Sequence, residues 1–471
     1  MTDSILIVGA GIAGLHAAAE CANAGARAIV VERGPVIGGK LAATMTEASA
    51  IGDRAEGAGT PLFEALAENE NIEIITLATL ESVEGRPGNF TVSIRERERF
   101  VTDACTRCKL CRAVCPVVLP NEHDAGLTFR KAIYTPMAET MPPEYVIDIR
   151  NCLNTPPNYL PCQQCVDVCE DDAIHFHLPL DTIHERHVGA VILAPGFQIE
   201  DSANFRELGY GEHPDIVTSV ELQRLLESPG PTGGYASKPS DEEYPDSILL
   251  VLDDPSHFGL YIVASQVHQL LAQDVETVAV LVLSQLNQDS EYEEVKALAE
   301  QTGVQVSWGT MFKVEPTDGN TLEISYEDFS AHRYVRETYD MVVLCSDVEP
   351  APGLAELAET VGVDMADSGY IAARGNDGAG VATSQPGIFV AGCASGPKNI
   401  KDSTAAAHAA AEGALAYLDQ RLLGADDVPP ETAEATEPAA APMASPPELS
   451  DDETRARIEQ MLYALLDRAD A

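Results

Sequence analysis

Eight of the eleven cysteines lie within one stretch of this 471-residue chain, in two runs of four. The first run is Cys105, Cys108, Cys111 and Cys115, spaced C-x2-C-x2-C-x3-C and followed by Pro116. The second run is Cys152, Cys162, Cys165 and Cys169, spaced C-x9-C-x2-C-x3-C. Each iron of a [4Fe–4S] cube needs a thiolate, and a C-x2-C-x2-C turn supplies three. The spacing therefore predicts a segment that folds around two clusters.

The two runs are expected to exchange their last cysteines, as in two-cluster ferredoxins, where that thiol binds the other cluster. The predicted ligands of the first cluster are Cys105, Cys108, Cys111 and Cys169. Those of the second are Cys115, Cys152, Cys162 and Cys165. A disulfide framework and structural zinc are the alternatives. Disulfides suit small secreted chains, and zinc sites rarely show two runs of this spacing, so clusters are favoured.

The N-terminus has the pattern of a dinucleotide-binding turn. An apolar strand ends at Val8 and is followed by Gly9, Gly11 and Gly14 in G-x-G-x-x-G spacing, a helix of small residues and a second strand that ends in Glu32. Such glycines let the backbone approach a pyrophosphate at the helix N-terminus, while the acid accepts hydrogen bonds from ribose. A simple glycine turn is the alternative.

Segments later in the chain indicate that the predicted dinucleotide is FAD and not a nicotinamide nucleotide. Gly38-Gly39-Lys40 follows the acid, a buried strand is predicted from Val188 to Gly196, and residues 387–393 predict a strand that enters a glycine turn before a helix over 403–423. These features predict an FAD domain built from distant pieces. The predicted cofactor-binding residues are Gly9, Gly11, Gly14, Glu32, Arg33, Gly39, Lys40, Ala194, Gly196, Gly392, Cys393, Lys398 and Ile400.

Residues 241–345 have the strand and helix alternation of a second nucleotide-binding domain, without its glycine loop. The expected phosphate position carries Asp253 and Asp254, whose charges would repel a pyrophosphate. This domain is therefore predicted to be a degenerate NAD(P)-type scaffold.

Taken together, these segments resemble the family of heterodisulfide reductase A subunits, most closely over residues 105–196. The matching stretches include Cys115-Pro116-Val117, Arg130-Lys131-Ala132-Ile133-Tyr134, Tyr145-Val146-Ile147-Asp148 and Ala391-Gly392-Cys393-Ala394-Ser395-Gly396-Pro397-Lys398. The resemblance implies an FAD- and iron–sulfur-containing oxidoreductase subunit of an electron-transfer complex. It implies partners such as the B and C subunits of that reductase or similar iron–sulfur proteins, and it leaves a homodimer and electron bifurcation open.

Three other functions stay open: a subunit of a quinone-interacting complex, a stand-alone pyridine-nucleotide-dependent disulfide reductase, and a mainly structural adaptor whose flavin is vestigial. The second needs a redox-active cysteine pair and an NAD(P)H loop, and neither is found outside the cluster segment. The chain departs from the family pattern in having no cysteine at residues 41–60, where an extra cluster is usually ligated, so two clusters are predicted. Lys398 is expected near the flavin ring, where a cation would tune its potential, with a surface lysine as the alternative.

The predicted fold class is α/β: a two-dinucleotide-binding-domain flavoprotein of the thioredoxin-reductase type, with an inserted two-cluster ferredoxin-like module and a C-terminal tail helix. The predicted ranges are 1–100, 185–240 and 346–423 for the FAD domain, 101–184 for the insertion, 241–345 for the middle domain, 424–449 for a flexible linker and 450–471 for an amphipathic helix. The helix is expected to dock on a partner subunit or on the chain itself.

Charge and hydropathy bear on which partners the chain can bind and where it is located. The chain has 75 acidic and 29 basic residues, and its net charge of −46 would repel nucleic acids and anionic lipids. The acidic excess also suggests a protein adapted to a salt-rich cytoplasm. The sequence has no apolar run of membrane-spanning length and no basic signal region, so a cytoplasmic location and no direct membrane span are expected.

Overall fold

The computed structural model describes residues 4–40, 66, 69–136, 141–199, 202–227, 230–253, 257–283, 290–345, 347–374 and 380–422. The predicted linker over 424–449 and the predicted helix over 450–471 lie outside these residues. Within them, no helix is both long enough and apolar enough to cross a membrane.

The helices and strands of the described residues are as follows. The α-helices are α1 (Ile12–Asn23), α2 (Leu110–Val114), α3 (Gln164–Asp167), α4 (Ser219–Leu226), α5 (His257–Leu271), α6 (Ser290–Thr302), α7 (Leu354–Val361) and α8 (Ile400–Leu422). Short 3₁₀ helices span Glu122–Asp124, Ser202–Leu208 and Gly392–Ser395. The strands are β1 (Ser4–Val8), β2 (Arg27–Val31), β3 (Ile72–Ile75), β4 (Ala78–Arg86), β5 (Asn89–Arg97), β6 (Leu119–Pro120), β7 (Phe129–Arg130), β8 (Ile133–Tyr134), β9 (Val146–Ile147), β10 (Asp181–Val188), β11 (Ala190–Leu193), β12 (Phe197–Ile199), β13 (Ile216–Thr218), β14 (Ser247–Leu252), β15 (Thr277–Val282), β16 (Gln305–Pro316), β17 (Leu322–Asp328), β18 (Arg333–Tyr339), β19 (Met341–Cys345), β20 (Val348–Pro350) and β21 (Ile388–Val390).

A parallel sheet of order β21-β11-β1-β2-β3 forms the first domain. Its strands are near-continuous apolar runs because both faces are covered, as parallel sheets require. Alanines of α1 and α8 pack on one face, where their small side chains allow close approach of helix and sheet. The antiparallel strands β10, β5 and β4 cover the other face through Phe90, Val92 and Ile94. One sheet thus unites strands from residues 4–75, 190–193 and 388–390.

The second domain contains a sheet of order β13-β19-β14-β15-β16-β17-β18. The pairs from β13 to β16 are parallel, and β16, β17 and β18 form an antiparallel meander. Apolar side chains are buried on both faces. Two α/β domains of this kind confirm the predicted two-dinucleotide-binding-domain fold class.

The boundary of the second domain differs from the prediction. The predicted FAD domain includes residues 185–240, but β13 pairs with β19, and Leu222 and Leu226 of α4 are buried in the core of the second domain. The second domain therefore begins soon after β12. The prediction fails here because β13 is only three residues long, too short to show a periodic pattern.

The cysteine-bearing segment leaves the first domain after β5 and returns at β10, which pairs with β5 along its whole length. Its secondary structure consists of α2, α3, a 3₁₀ turn and the short strands β6 to β9. Its small core contains Phe100, Ile133, Tyr145 and Ile147, with several of the cysteines packed against them. The segment is a compact insertion in the first domain.

Candidate functional site

The glycine turn between β1 and α1 is fixed by close contacts. Gly9 has a φ of 107°, and a Cβ there would lie 2.2 Å from the Ala194 carbonyl oxygen. A Cβ on Gly14 would lie 1.8 Å from the Gly9 carbonyl oxygen, so this glycine lets α1 pack against the turn. A Cβ on Gly11 would meet no atom within 4 Å. Gly9 and Gly14 are thus required by packing, whereas Gly11 borders open space.

Glu32 lies just beyond the end of β2, beside this turn. Its two carboxylate oxygens accept hydrogen bonds from the backbone N–H groups of Ala10, at 2.8 Å, and Gly34, at 2.6 Å. These bonds fix the orientation of the carboxylate, which keeps further lone pairs for hydroxyl donors. The acid is therefore held at the edge of the glycine turn.

A cavity of about 240 Å³ opens at this turn; we call it the glycine-turn cavity. Its walls come from the carboxyl ends of β1, β2, β11 and β21 and from the start of α8. Of the predicted cofactor-binding residues it brings together Gly9, Gly11, Glu32, Arg33, Gly39, Lys40, Ala194, Gly196, Gly392, Cys393, Lys398 and Ile400. Gly14 does not line it and acts through packing instead.

The cavity walls also contain residues that the sequence analysis missed. They include Phe197, Asn399 and Ser403. Phe197 directly follows Gly196 and begins β12, and its ring lies 5.4 Å from the Lys40 ammonium. No sequence motif predicted that these three residues line the cavity, although each lies close in the chain to a predicted cofactor-binding residue.

Three cations line the glycine-turn cavity: Arg33, Lys40 and Lys398. Two of the eight lysines of the chain line this one cavity, although the protein has a net charge of −46. The Lys398 ammonium donates a hydrogen bond to the Ser395 hydroxyl at 2.9 Å, and burial lowers the pKa of Lys398. The cavity therefore suits an anionic or phosphate-bearing ligand.

Cys393 is a buried thiol in the same wall. Its sulfur donates to the Lys398 carbonyl oxygen at 3.3 Å, and burial raises the pKa of this thiol. A neutral thiol so placed contributes packing and a weak hydrogen bond.

The cysteines surround two further cavities, each lined by four of them. Cys105, Cys108, Cys111 and Cys169 line one, which we call the first cysteine set. Cys115, Cys152, Cys162 and Cys165 line the other, the second cysteine set. In the structure, the last cysteine of each run lies at the same cavity as the first three cysteines of the other run.

The surroundings of these thiols bear on what they could hold. Burial raises the pKa of Cys111 to about 11 and that of Cys165 to about 12, and it also raises the pKa of Cys152. Such thiols ionise only beside a compensating cation, and a coordinated metal centre supplies one. Within the described residues, no group of three or more His, Cys, Asp or Glu side chains converges where one metal ion could be held. Four thiols around each cavity match the donor number of a four-iron cluster, which needs one thiolate per iron.

The cysteine-bearing segment sits directly on the loop that carries Gly39 and Lys40. The Ile37 N–H donates to the Met141 carbonyl oxygen at 2.9 Å. The Arg99 guanidinium donates to the Thr76 hydroxyl at 3.1 Å and to the Glu144 carbonyl oxygen at 3.2 Å. Tyr145, which follows Glu144, lines the cavity of the first cysteine set. A short chain of contacts therefore joins the glycine-turn cavity to that set.

Comparison with known proteins finds one matching family model and several similar proteins. A family model described as FAD dependent oxidoreductase matches residues 4–100. The iron–sulfur A subunit of the CoB–CoM heterodisulfide reductase of Methanocaldococcus jannaschii is 34% identical over 423 residues, covering 87% of this chain and 63% of that protein. A protein of Archaeoglobus profundus described as like the heterodisulfide reductase A subunit is 30% identical over 468 residues, covering 89% of this chain and 66% of that protein.

Among solved structures, the thioredoxin reductase of T. acidophilum is 14% identical, with a TM-score of 0.47, and the alignment covers 89% of this chain and 98% of that one. The chain spans 63% and 66% of the length of the two curated relatives above.

Proposed function

Because the chain belongs to the family of heterodisulfide reductase A subunits, we propose that it is an oxidoreductase subunit that passes electrons between FAD, two [4Fe–4S] clusters and partner proteins. The observation that carries this proposal is the arrangement of three cavities in one folded unit. One is lined by a dinucleotide-binding turn, and the other two are each lined by four cysteines.

The residues of the glycine-turn cavity fit FAD. Gly11 leaves room for a pyrophosphate at the N-terminus of α1, where the helix dipole favours negative charge. Glu32 presents a fixed carboxylate to ribose hydroxyls. Lys398 brings a positive charge that would offset the negative charge gained on flavin reduction. FAD, when bound, supplies the exchange between one- and two-electron chemistry.

The two cysteine sets would hold one [4Fe–4S] cluster each. The thiols would supply the four ligands, and buried side chains such as Tyr145 at the first cavity and Ile133 at the second would shield them from water. Cluster potentials depend on such shielding and on hydrogen bonds to the sulfurs. The Ala173 N–H donates to the Cys169 sulfur at 3.4 Å, and this bond would favour the reduced form of a cluster held there.

We further infer a cytoplasmic location and assembly with other redox subunits, such as the B and C subunits of heterodisulfide reductase or similar iron–sulfur proteins. Thiolate-ligated clusters need a reducing compartment, which supports the location. The relatives are named as subunits, which supports the assembly.

Anaerobic purification of the full chain tests the cofactor content. We expect one FAD and about eight irons per chain, because each four-cysteine set holds a four-iron cube. Yellow protein with markedly fewer irons contradicts the proposal. Flavin reduction by NADH or NADPH alone would instead favour a stand-alone pyridine-nucleotide-dependent reductase.

Single cysteine variants test the grouping. Cys108→Ser and Cys169→Ser should alter the same electron paramagnetic resonance signal, and Cys115→Ser and Cys162→Ser should alter the other. Cys21→Ala is the matched control, because Cys21 is buried in α1 away from both sets. If Cys169→Ser instead altered the signal that Cys162→Ser alters, the grouping would be wrong.

A further inference from the structure

The Phe197 ring and the Lys40 ammonium meet in the wall of the glycine-turn cavity. Both residues line the cavity, and the Lys40 nitrogen lies 5.4 Å from the centre of the ring. A cation within about 6 Å of a ring centre is attracted by the negative face of the ring. The contact joins two segments that are far apart in the sequence, so the fold creates it.

The backbone of Lys40 is held beside the glycine turn. The Gly38 N–H donates to the Ala10 carbonyl oxygen at 2.8 Å. A Cβ on Gly39 would lie 2.9 Å from the Gly11 Cα atom, so the two loops touch directly before Lys40. Lys40 therefore starts next to the open space at Gly11, and only its long, flexible side chain remains to be oriented.

The backbone of Phe197 is held by a different element. Phe197 is the first residue of β12 and pairs with Pro350 of β20. The next residue, Gln198, donates from its side-chain amide to the Glu349 carboxylate at 2.7 Å. The ring is thus attached to a fixed strand, and it can restrict the more flexible Lys40 side chain.

The ammonium of Lys40 lies in surroundings that disfavour its charge. Lys40 as a whole residue is exposed to solvent, yet the pKa of its ammonium is lowered, first by desolvation and then by the charge of Arg33. A favourable contact with a ring face offsets part of this cost. The ring therefore helps to keep the ammonium in the cavity.

A ring also differs from a carboxylate in what it leaves for a ligand. A carboxylate would cancel the charge of the lysine, whereas a neutral ring holds the ammonium and leaves its charge intact. Neutral groups contact the other two cations of the cavity in the same way: Arg33 donates to the Pro352 carbonyl oxygen at 2.8 Å, and Lys398 donates to the Ser395 hydroxyl at 2.9 Å.

We propose that Phe197 is a positioning residue whose ring holds the Lys40 ammonium in the glycine-turn cavity, where its charge attracts the pyrophosphate of FAD. This inference rests on the proposed function, since it takes FAD as the ligand of the cavity. Phe197 acts through Lys40, so replacing the ring should matter only while Lys40 is present.

A double-mutant cycle tests this dependence. The flavin is removed from the anaerobically purified full chain, and FAD is returned by titration. Phe197→Leu keeps an apolar side chain without a ring and should weaken FAD binding about fivefold. Lys40→Met should weaken it at least as much, and adding Phe197→Leu to Lys40→Met should cause no further loss. Losses that simply multiply would show that Phe197 acts independently of Lys40 and would overturn the proposal.

Two further replacements at position 197 separate the charge distribution of the ring from its shape. Phe197→Tyr keeps the ring face and should bind FAD within about twofold of the wild type. Trifluorophenylalanine at this position keeps nearly the same shape but weakens the negative face, so FAD affinity should fall towards that of Phe197→Leu. Wild-type affinity in the fluorinated chain would overturn the proposal. Phe129→Leu is the matched control, because Phe129 lies on β7 and does not line the cavity.

The salt dependence of FAD binding gives a readout that loss of packing alone would not change. Attraction between Lys40 and a pyrophosphate is screened by KCl, so wild-type affinity should fall as KCl rises. Phe197→Leu and Lys40→Met should both show the same shallower dependence. A wild-type salt slope in Phe197→Leu would mean that its ring serves packing only. Failure of the wild-type chain to bind FAD would count against the proposed function, whereas normal FAD binding that ignores the ring would count only against this inference.

Discussion

The Arg224 guanidinium of α4 lies 2.9 Å from the Asp124 carboxylate of the cysteine-bearing segment, so an ion pair joins this segment to the second domain. Arg224 is 3% exposed and also contacts the Glu227 carboxylate. Asp124 is itself held by the Asn121 amide at 2.7 Å and the Thr128 hydroxyl at 2.5 Å. The pair is therefore a preorganised link between two parts of the molecule.

Removing the charge of Arg224 should be costly. Arg224→Met leaves two carboxylates partly or fully buried without their cation, and breaking a buried ion pair costs about 3–5 kcal/mol. Chemical unfolding measures the change. Arg95→Met is the control, because the pair of Arg95 with Glu81 is 38% exposed on each side, and such pairs contribute only about 0–1 kcal/mol. Equal losses in the two variants would show that the Arg224 link contributes little.

Two glycines of the N-terminal turn should respond differently to the same substitution. Gly14→Ala places a methyl group 1.8 Å from the Gly9 carbonyl oxygen, so the first domain should lose stability in thermal unfolding. Gly11→Ala meets no atom within 4 Å, so its stability without FAD should stay near that of the wild type. Its methyl group should nevertheless hinder the pyrophosphate and weaken FAD binding at least about tenfold in titration, which is about 1.4 kcal/mol. Tight FAD binding by Gly11→Ala would place the pyrophosphate elsewhere.

The predictions from sequence succeeded where a short pattern in the chain determines the local structure. Cysteine spacing brings Cys105, Cys108 and Cys111 to one cavity through short turns, whereas Cys169 joins them from a distant part of the chain. The sequence also located the end of β1 and the range of α8 to within a few residues. Contacts between distant segments could not be predicted in this way. The pairs Arg224–Asp124 and Ile37–Met141 join single residues that share no motif, and the short β13 has too few residues to show a period.

Lys398 provides a test of how the protein tunes the flavin. In Lys398→Met the positive charge in the cavity is lost, so the reduced, more negative flavin is stabilised less and its midpoint potential should fall. A loss of about 1.4 kcal/mol corresponds to about 30 mV for a two-electron couple. Lys401→Met is the matched control, since Lys401 is exposed in the first turn of α8, three residues after Lys398. Equal potentials in both variants and the wild type would show that Lys398 does not tune the flavin.

The acidic surface predicts a strong dependence of stability on salt. With 75 acidic against 29 basic residues, the folded state concentrates negative charge that the expanded chain spreads apart. Raising KCl from about 0.05 to 1 M shortens the screening length to about 3 Å and should relieve this repulsion. The free energy of unfolding should therefore rise steeply at low salt and then level off as screening saturates. Sucrose at matched osmolality is the control, because it acts by exclusion and not by screening. An unfolding midpoint that does not move between these salt concentrations would show that charge repulsion does not limit the stability of this chain.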